Sequence, residues 1–294
     1  MKIIDSHAHF WDVDTLVYPW IEKGSLFDRS FSLEDYLRAS VEAAAPVSGM
    51  IFIEADAAST CSLREASWVQ ELAAADDRVR GIVARVPLTE ESSVAADLDA
   101  ITAIPLLKGV RDNIQGHAPG FAVQPSFVHG VREVGRRGLH FELCLKHHQL
   151  DEALELAGKC SDVPLVLDHC GKPDIRKGQR EPWRTQIRQL AALPNIVCKV
   201  SGLVTEADWE RWQPEEILWY ARQAADAFGP ARILFGSDWP VCEAAGGFEK
   251  WFRAAQTLTA SWSETDRESF FWRNAERVYR LASGPLSADR QGEG

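Results

Sequence analysis

Two histidines one residue apart, His7 and His9, stand near the start of the chain in Asp5-Ser-His-Ala-His-Phe. Side chains two positions apart on an extended strand share a face, so both imidazoles converge, and the same alternation puts Asp5 beside them. Two neutral imidazoles at one point make half a metal site, or a pair of donors toward an oxygen. His169 closes an apolar run in Leu165-Val-Leu-Asp-His-Cys-Gly-Lys-Pro, and Asp238 occupies the same place in Leu234-Phe-Gly-Ser-Asp-Trp-Pro. A polar group at the exit of a buried strand is costly unless it is paired or used. His7, His9, His169 and Asp238 therefore describe a mononuclear metal site, or a metal-free acid/base site of the same shape. Their bland alternative is four unrelated polar strand ends.

Arg111 ends the run Leu106-Leu-Lys-Gly-Val-Arg. If it points into the same mouth to bind a substrate oxygen or carboxylate, alternation turns Lys108 away, which argues against a carboxylated lysine bridging a second metal. Lys172 follows His169 closely, and Lys199 and Ser201 share a face further on. Eleven tryptophans are the compositional oddity. Trp11, Trp20 and Trp239 fall on strand-exit loops, where a flat ring can hold a substrate ring; Trp183, Trp251 and Trp272 fit helix packing, the helix around Trp251 belonging either to a core or to an interface.

The elements that must position these residues recur in a βα rhythm. Short β-branched, apolar runs cover Lys2–Ser6, Gly49–Glu54, Gly81–Val86, Leu106–Arg111, Leu139–Leu145, Pro164–Asp168, Ile196–Val200 and Arg232–Gly236. Between them lie amphipathic segments with start signals: Ser32, a capping box from Ser62 to Glu65, and Pro182 and Pro214 as first helical residues. Eight such units fit one (β/α)8 TIM barrel over residues 1–282, with a polar, disordered tail over 283–294. Connections entering the strands are clipped, as in Asp76-Asp77-Arg78, while those leaving them are long, as from His7 to Phe31. In such a barrel all exit loops share the face that carries chemistry.

Forty-three acidic residues against thirty-two basic ones, with no basic run, speak against nucleic acid and anionic membrane as partners. No apolar stretch reaches about 18 residues and no secretory leader is written, so the expected location is the cytoplasm. Six cysteines without a Cys-x-x-Cys pair read as buried thiols. A small molecule is the expected partner, and a homo-oligomer is left open.

The motifs Asp5-Ser-His-Ala-His-Phe-Trp, Lys108-Gly-Val-Arg, Leu167-Asp-His-Cys-Gly-Lys-Pro, Cys198-Lys-Val-Ser-Gly-Leu and Phe235-Gly-Ser-Asp-Trp-Pro, in that order, resemble the lactonase branch of the amidohydrolase superfamily. That branch includes L-fuconolactonase, L-rhamnonolactonase, sulfomuconolactone hydrolase and 2-pyrone-4,6-dicarboxylate lactonase, and the likeness is greatest to the fuconolactonase type. The resemblance implies lactone hydrolysis with Asp238 activating water; in the mechanism expected from these residues, Asp238 takes a proton from that water while His7, His9, Arg111 or a bound zinc stabilises the oxyanion. His169 then either serves the departing ring oxygen or ligates the metal. One Zn2+ or another divalent ion is implied for some members, and metal-free catalysis for others. Arg111-Asp112 departs from the Arg-His pair that fuconolactonase-like relatives tend to show, which bears on the particular sugar. A dicarboxylate would need several converging cations, so a neutral sugar lactone is expected. A metal-dependent decarboxylase or a lactone isomerase is the alternative.

Overall fold

The computed structural model describes residues 1–89 and 93–282; the expected tail over 283–294 lies outside the described residues. Eight parallel strands stand in sequence order: β1 Ile4–Ala8, β2 Gly49–Ile53, β3 Val79–Arg85, β4 Leu107–Arg111, β5 His140–Leu143, β6 Leu165–Leu167, β7 Ile196–Val200 and β8 Ile233–Phe235. Most of their residues are buried, as strands covered on both faces require, which is why each reads as an apolar run in the sequence. Helices α1 Leu33–Glu42, α2 Ser62–Ala75, α3 Val94–Thr102, α4 Pro125–Arg136, α5 Leu150–Lys159, α6 Trp183–Ala191, α7 Pro214–Phe228 and α8 Gly247–Leu258 follow the strands. The architecture is the expected (β/α)8 barrel. Among the described residues no helix is long and apolar enough to cross a membrane.

The helix starts match the sequence signals unevenly. Ser32 caps α1, its Oγ accepting the Asp35 N–H while the Asp35 carboxylate accepts the Ser32 N–H. Pro214 is the first residue of α7, and Pro182 immediately precedes α6. The capping box expected from Ser62 and Glu65 does not form: Ser62 is already helical, and the buried Glu65 carboxylate accepts the backbone N–H of Ala55 instead. A tertiary acceptor role outcompetes the local one.

Closure between β8 and β1 uses no strand ladder. His9 N–H donates to Trp239 O at 2.8 Å, Asp238 N–H to His7 O at 2.8 Å, and Ser6 Oγ to Phe235 O at 2.7 Å. Asp5 locks the same seam, its Oδ1 accepting the N–H groups of His7 and Ser237 and its Oδ2 the Tyr36 hydroxyl of α1. Asp5 thus faces the helix layer and not the mouth, contrary to simple alternation. Pairing explains it: Asp5 sits opposite Met50 and Ala8 opposite Phe52, three steps on β1 against two on β2, so a β-bulge reverses the faces.

The other end of the barrel is stoppered from below. After α9 (Glu264–Glu268), a π-helical turn over Ser269–Arg273 and α10 (Asn274–Val278), Tyr279 and Leu281 pack with Ile4, Ile51, Ile53, Val83 and Leu234. Trp183 and Trp251 are core residues, each fully buried and donating its indole N–H to a backbone carbonyl, of Cys170 and Gly236; Trp272 is partly buried beneath the Lys2 ammonium. The aromatic face of α8 is core, not interface.

Candidate active site

His7 and His9 project from the end of β1, His169 from the turn after β6 and Asp238 from the turn after β8. Both turns need unusual backbone. His169, Cys170 and Asp238 have φ of 52°, 52° and 59°, left-handed values that L-residues adopt only where surroundings fix them. These turns also explain why β6 and β8 stop short of the runs read from sequence. Gly202, at φ +58°, makes the close approach feasible: a Cβ there would lie 2.3 Å from His169 Nδ1 and 2.8 Å from Asp238 Oδ2.

The four predicted groups do meet. Asp238 Oδ1 lies 3.4 Å from His9 Nε2, 3.8 Å from His7 Nε2 and 3.9 Å from His169 Nε2. Three nitrogens around one carboxylate oxygen at these separations approach the roughly 3.3 Å between ligands of a tetrahedral ion with bonds near 2.0–2.1 Å. The donors behind them point the same way. His9 Nδ1 donates to the Ile53 carbonyl at 2.8 Å, which turns Nε2 toward the carboxylate. His169 Nδ1 is 2.9 Å from Ser201 Oγ, and His7 Nε2 is buried without any partner. A buried imidazole nitrogen without a partner beside a carboxylate calls for a cation between them, and His7, His169 and Asp238 fit one divalent ion, with His9 Nε2 3.4 Å from the same carboxylate oxygen.

The electrostatics prepare that state. Burial pushes the His7 imidazole well below its usual pKa and the His169 imidazole down to about 4, so both are neutral at pH 7. Burial alone would raise Asp238, but the facing His169, the His9 hydrogen bond and His7 outweigh it and hold the carboxylate far below the ordinary range.

Above these groups opens a cleft of about 220 Å3, lined by His9, Trp11, Trp20, Arg111, Lys172, His169 and Asp238 among others. That is smaller than the roughly 300–1,000 Å3 of drug-sized pockets and suits a single small ring. Trp11 and Trp20 meet edge to face, their indole N–H groups tied to the carbonyls of Arg29 and Ala55, so their rings are fixed. Lys172 Nζ donates to Gln115 Oε1 at 2.5 Å; burial would lower its pKa, but Cys144, Glu206 and Asp238 raise it and keep it an ammonium.

Three expectations change. Trp239 is not on the cleft: it is buried behind Asp238 among Phe10, Phe31 and Tyr36, because the turn after β8 sends Asp238 inward and its successor outward. Arg111 lines the cleft but is not a free fork. Its Nε bonds Glu54 Oε1 at 2.5 Å, Nη2 the Glu54 carbonyl at 2.6 Å and Nη1 Asp168 Oδ2 at 3.2 Å, so it brings positive potential more than open donors. Asp112 turns away from the cleft to accept the Leu88 N–H, and burial raises its pKa to about 6. Lys108 stays away from the mouth as expected, close to Arg80 and Arg280.

Reading by sequence missed Glu54 and Glu142, which build the floor with Asp168 and Lys199. A signal existed: Glu142 is a carboxylate inside an apolar strand run and Glu54 closes one, positions that are not tolerated without a partner. Asp56, Asn113, Gln115 and Thr205, also on the cleft wall, lie on loops that carry no pattern.

A family model described as Amidohydrolase matches residues 4–281. An L-fucono-1,5-lactonase of Burkholderia multivorans is 33% identical over 295 residues, covering 95% of this chain and 96% of that protein. An L-rhamnono-gamma-lactonase of Scheffersomyces stipitis is 23% identical over 332 residues, covering 95% and 99%. An amidohydrolase of Burkholderia multivorans crystallised with bound zinc superposes with a TM-score of 0.83 at 31% identity, covering 96% of this chain and 100% of that one.

Proposed function

The chain belongs to the amidohydrolase family, and from that premise we propose that it is a single-domain lactonase that opens the ring of a neutral sugar lactone. The observation that carries the reading is the convergence of three imidazole nitrogens on Asp238 Oδ1 beneath a ring-sized cleft. The lactonase names of relatives at 33% and 23% identity support it.

A divalent ion held by His7, His9, His169 and Asp238 would polarise the lactone carbonyl and acidify a water. The chain's own groups do the rest. Asp238, ionised at any working pH, takes the proton of the attacking water; the water oxygen bonds to the carbonyl carbon. Collapse breaks the bond to the ring oxygen, which leaves as a hydroxyl once protonated, giving a hydroxy acid. Lys172, an ammonium on the cleft wall, and the positive potential of Arg111 stabilise the developing negative charge. Trp11 and Trp20 hold the ring. With Arg111 already engaged by Glu54 and Asp168, Lys172 is the cation with donors to spare, which favours a neutral lactone over a dicarboxylate. The proposal extends to a cytoplasmic enzyme of carbohydrate catabolism.

The test is acid release from a panel of sugar and muconate lactones, with and without a chelator. Sugar lactones are expected to release acid, and Asp238→Asn to lower the rate at least 100-fold while leaving the fold intact. Full activity in Asp238→Asn would sink the mechanism. Acid release from muconate lactones alone would overturn the substrate class, and CO2 release from an aromatic acid would favour the decarboxylase alternative.

A further inference from the structure

Directly beneath His7 lies a second set of ligand atoms that the proposed chemistry leaves unused. His7 Nδ1, Glu142 Oε2 and Asp168 Oδ1 converge from β1, β5 and the turn after β6, and all three side chains are fully buried. In their midst sits the Lys199 ammonium, its Nζ 2.5 Å from Glu142 Oε2, 3.1 Å from Asp168 Oδ1 and 3.2 Å from His7 Nδ1. Asp168 Oδ1 receives no well-directed hydrogen bond, although it is wholly removed from water. Two carboxylates and an imidazole in such a place are untenable without positive charge. Lys199 supplies one charge at a point where three ligand atoms would accept a metal.

We propose that this is a second cation position, filled by the chain's own lysine, and that Lys199 restricts the barrel to one external ion. Lys199 is a positive charge held directly between the buried Glu142 and Asp168 carboxylates. With the ammonium removed, the positive charge left beside those two carboxylates is Arg111, on Asp168, and the vacated pocket offers a carboxylate on either side and an imidazole nitrogen, ligand types suited to zinc. With Nε2 on the first ion, His7 Nδ1 would have to give up its proton to solvent, as an imidazolate, to serve the second.

This inference rests on the one-ion site proposed above only for its baseline, and the experiment reads a difference. Purified wild type and Lys199→Ala are saturated with zinc, freed of excess by gel filtration, and their zinc per chain is measured by native mass spectrometry. Lys199→Ala is expected to carry one ion more than wild type. An unchanged count in the folded variant overturns the proposal, as does a wild-type chain that takes up two ions. A wild type without zinc would instead remove the one-ion reading, while the extra ion in Lys199→Ala, or its absence, still decides the role of the lysine. If Lys199→Ala is unfolded in chelator, zinc must restore folded chain by replacing the missing charge; failure to do so also overturns it. Adding Glu142→Gln to Lys199→Ala removes one ligand and is expected to return the count to that of wild type.

Discussion

His169 and Asp238 belong to short polar stretches at the ends of apolar runs, and that contrast is what made them legible. Glu142 obeys the same physics, yet it is embedded in its run, where a lone carboxylate is easily read past, and Glu54 closes its run without a polar neighbour beside it. Asp112 illustrates what burial does to such a group. Its pKa rises to about 6, against about 3.9 in an unfolded chain, so its contribution to stability is complete below about pH 4 and is lost as pH climbs through 6. Asp112→Asn, which stays neutral, is expected to match wild type near pH 4 and to be more stable at pH 8 by roughly 3 kcal/mol, since every tenfold change in proton affinity is worth about 1.4 kcal/mol. Urea midpoints at the two pH values check this. A difference that does not grow with pH would mean the Asp112 carboxyl is not held neutral by the fold.

At the level of elements, strand periodicity located every strand but could not say where alternation breaks. The bulge in β1 reverses Asp5 relative to His7, and left-handed residues after β6 and β8 redirect His169 and Asp238 while sending Trp239 outward. Neither feature has a sequence mark beyond the residues themselves. Gly202 in the turn after β7 is the exception, since only glycine meets both its φ of +58° and the 2.3 Å separation its Cβ would have from His169. Gly202→Ala is expected to lower stability by about 1 kcal/mol or more and to weaken zinc binding at least tenfold. Isothermal titration with zinc, beside a thermal melt, separates the two effects; undiminished affinity would show that the glycine does not set the His169–Asp238 geometry.

For the molecule as a whole, the count of βα units and the one-sided loop lengths were enough to anticipate the barrel. The stopper at its lower end was not, because Tyr279 lies in an unremarkable helical tail and its partners come from the far side of the chain. Its hydroxyl donates to Glu142 Oε1 at 2.9 Å, 137 positions away in sequence, and His140 Nε2 is 3.2 Å from the same oxygen. Tyr279→Phe is expected to reduce the unfolding free energy by about 1–3 kcal/mol, the cost of taking a donor from a buried charged acceptor. Chemical denaturation at pH 7 measures it, and an unchanged midpoint would mean that the Glu142 carboxylate does not depend on this donor.

The seam between β8 and β1 carries a consequence for biosynthesis. Asp238 N–H reaches His7 O across the full circuit of the barrel, and Ser237 N–H reaches Asp5 Oδ1 in the same way. The bonds that shut the cylinder are therefore made by the residues of the site and their immediate neighbours. A nascent chain still on the ribosome, with its last strand not yet emerged, has the three imidazoles without the Asp238 carboxylate that their Nε2 atoms face. The proposed centre is therefore complete only once the event that joins the two ends of the barrel has taken place.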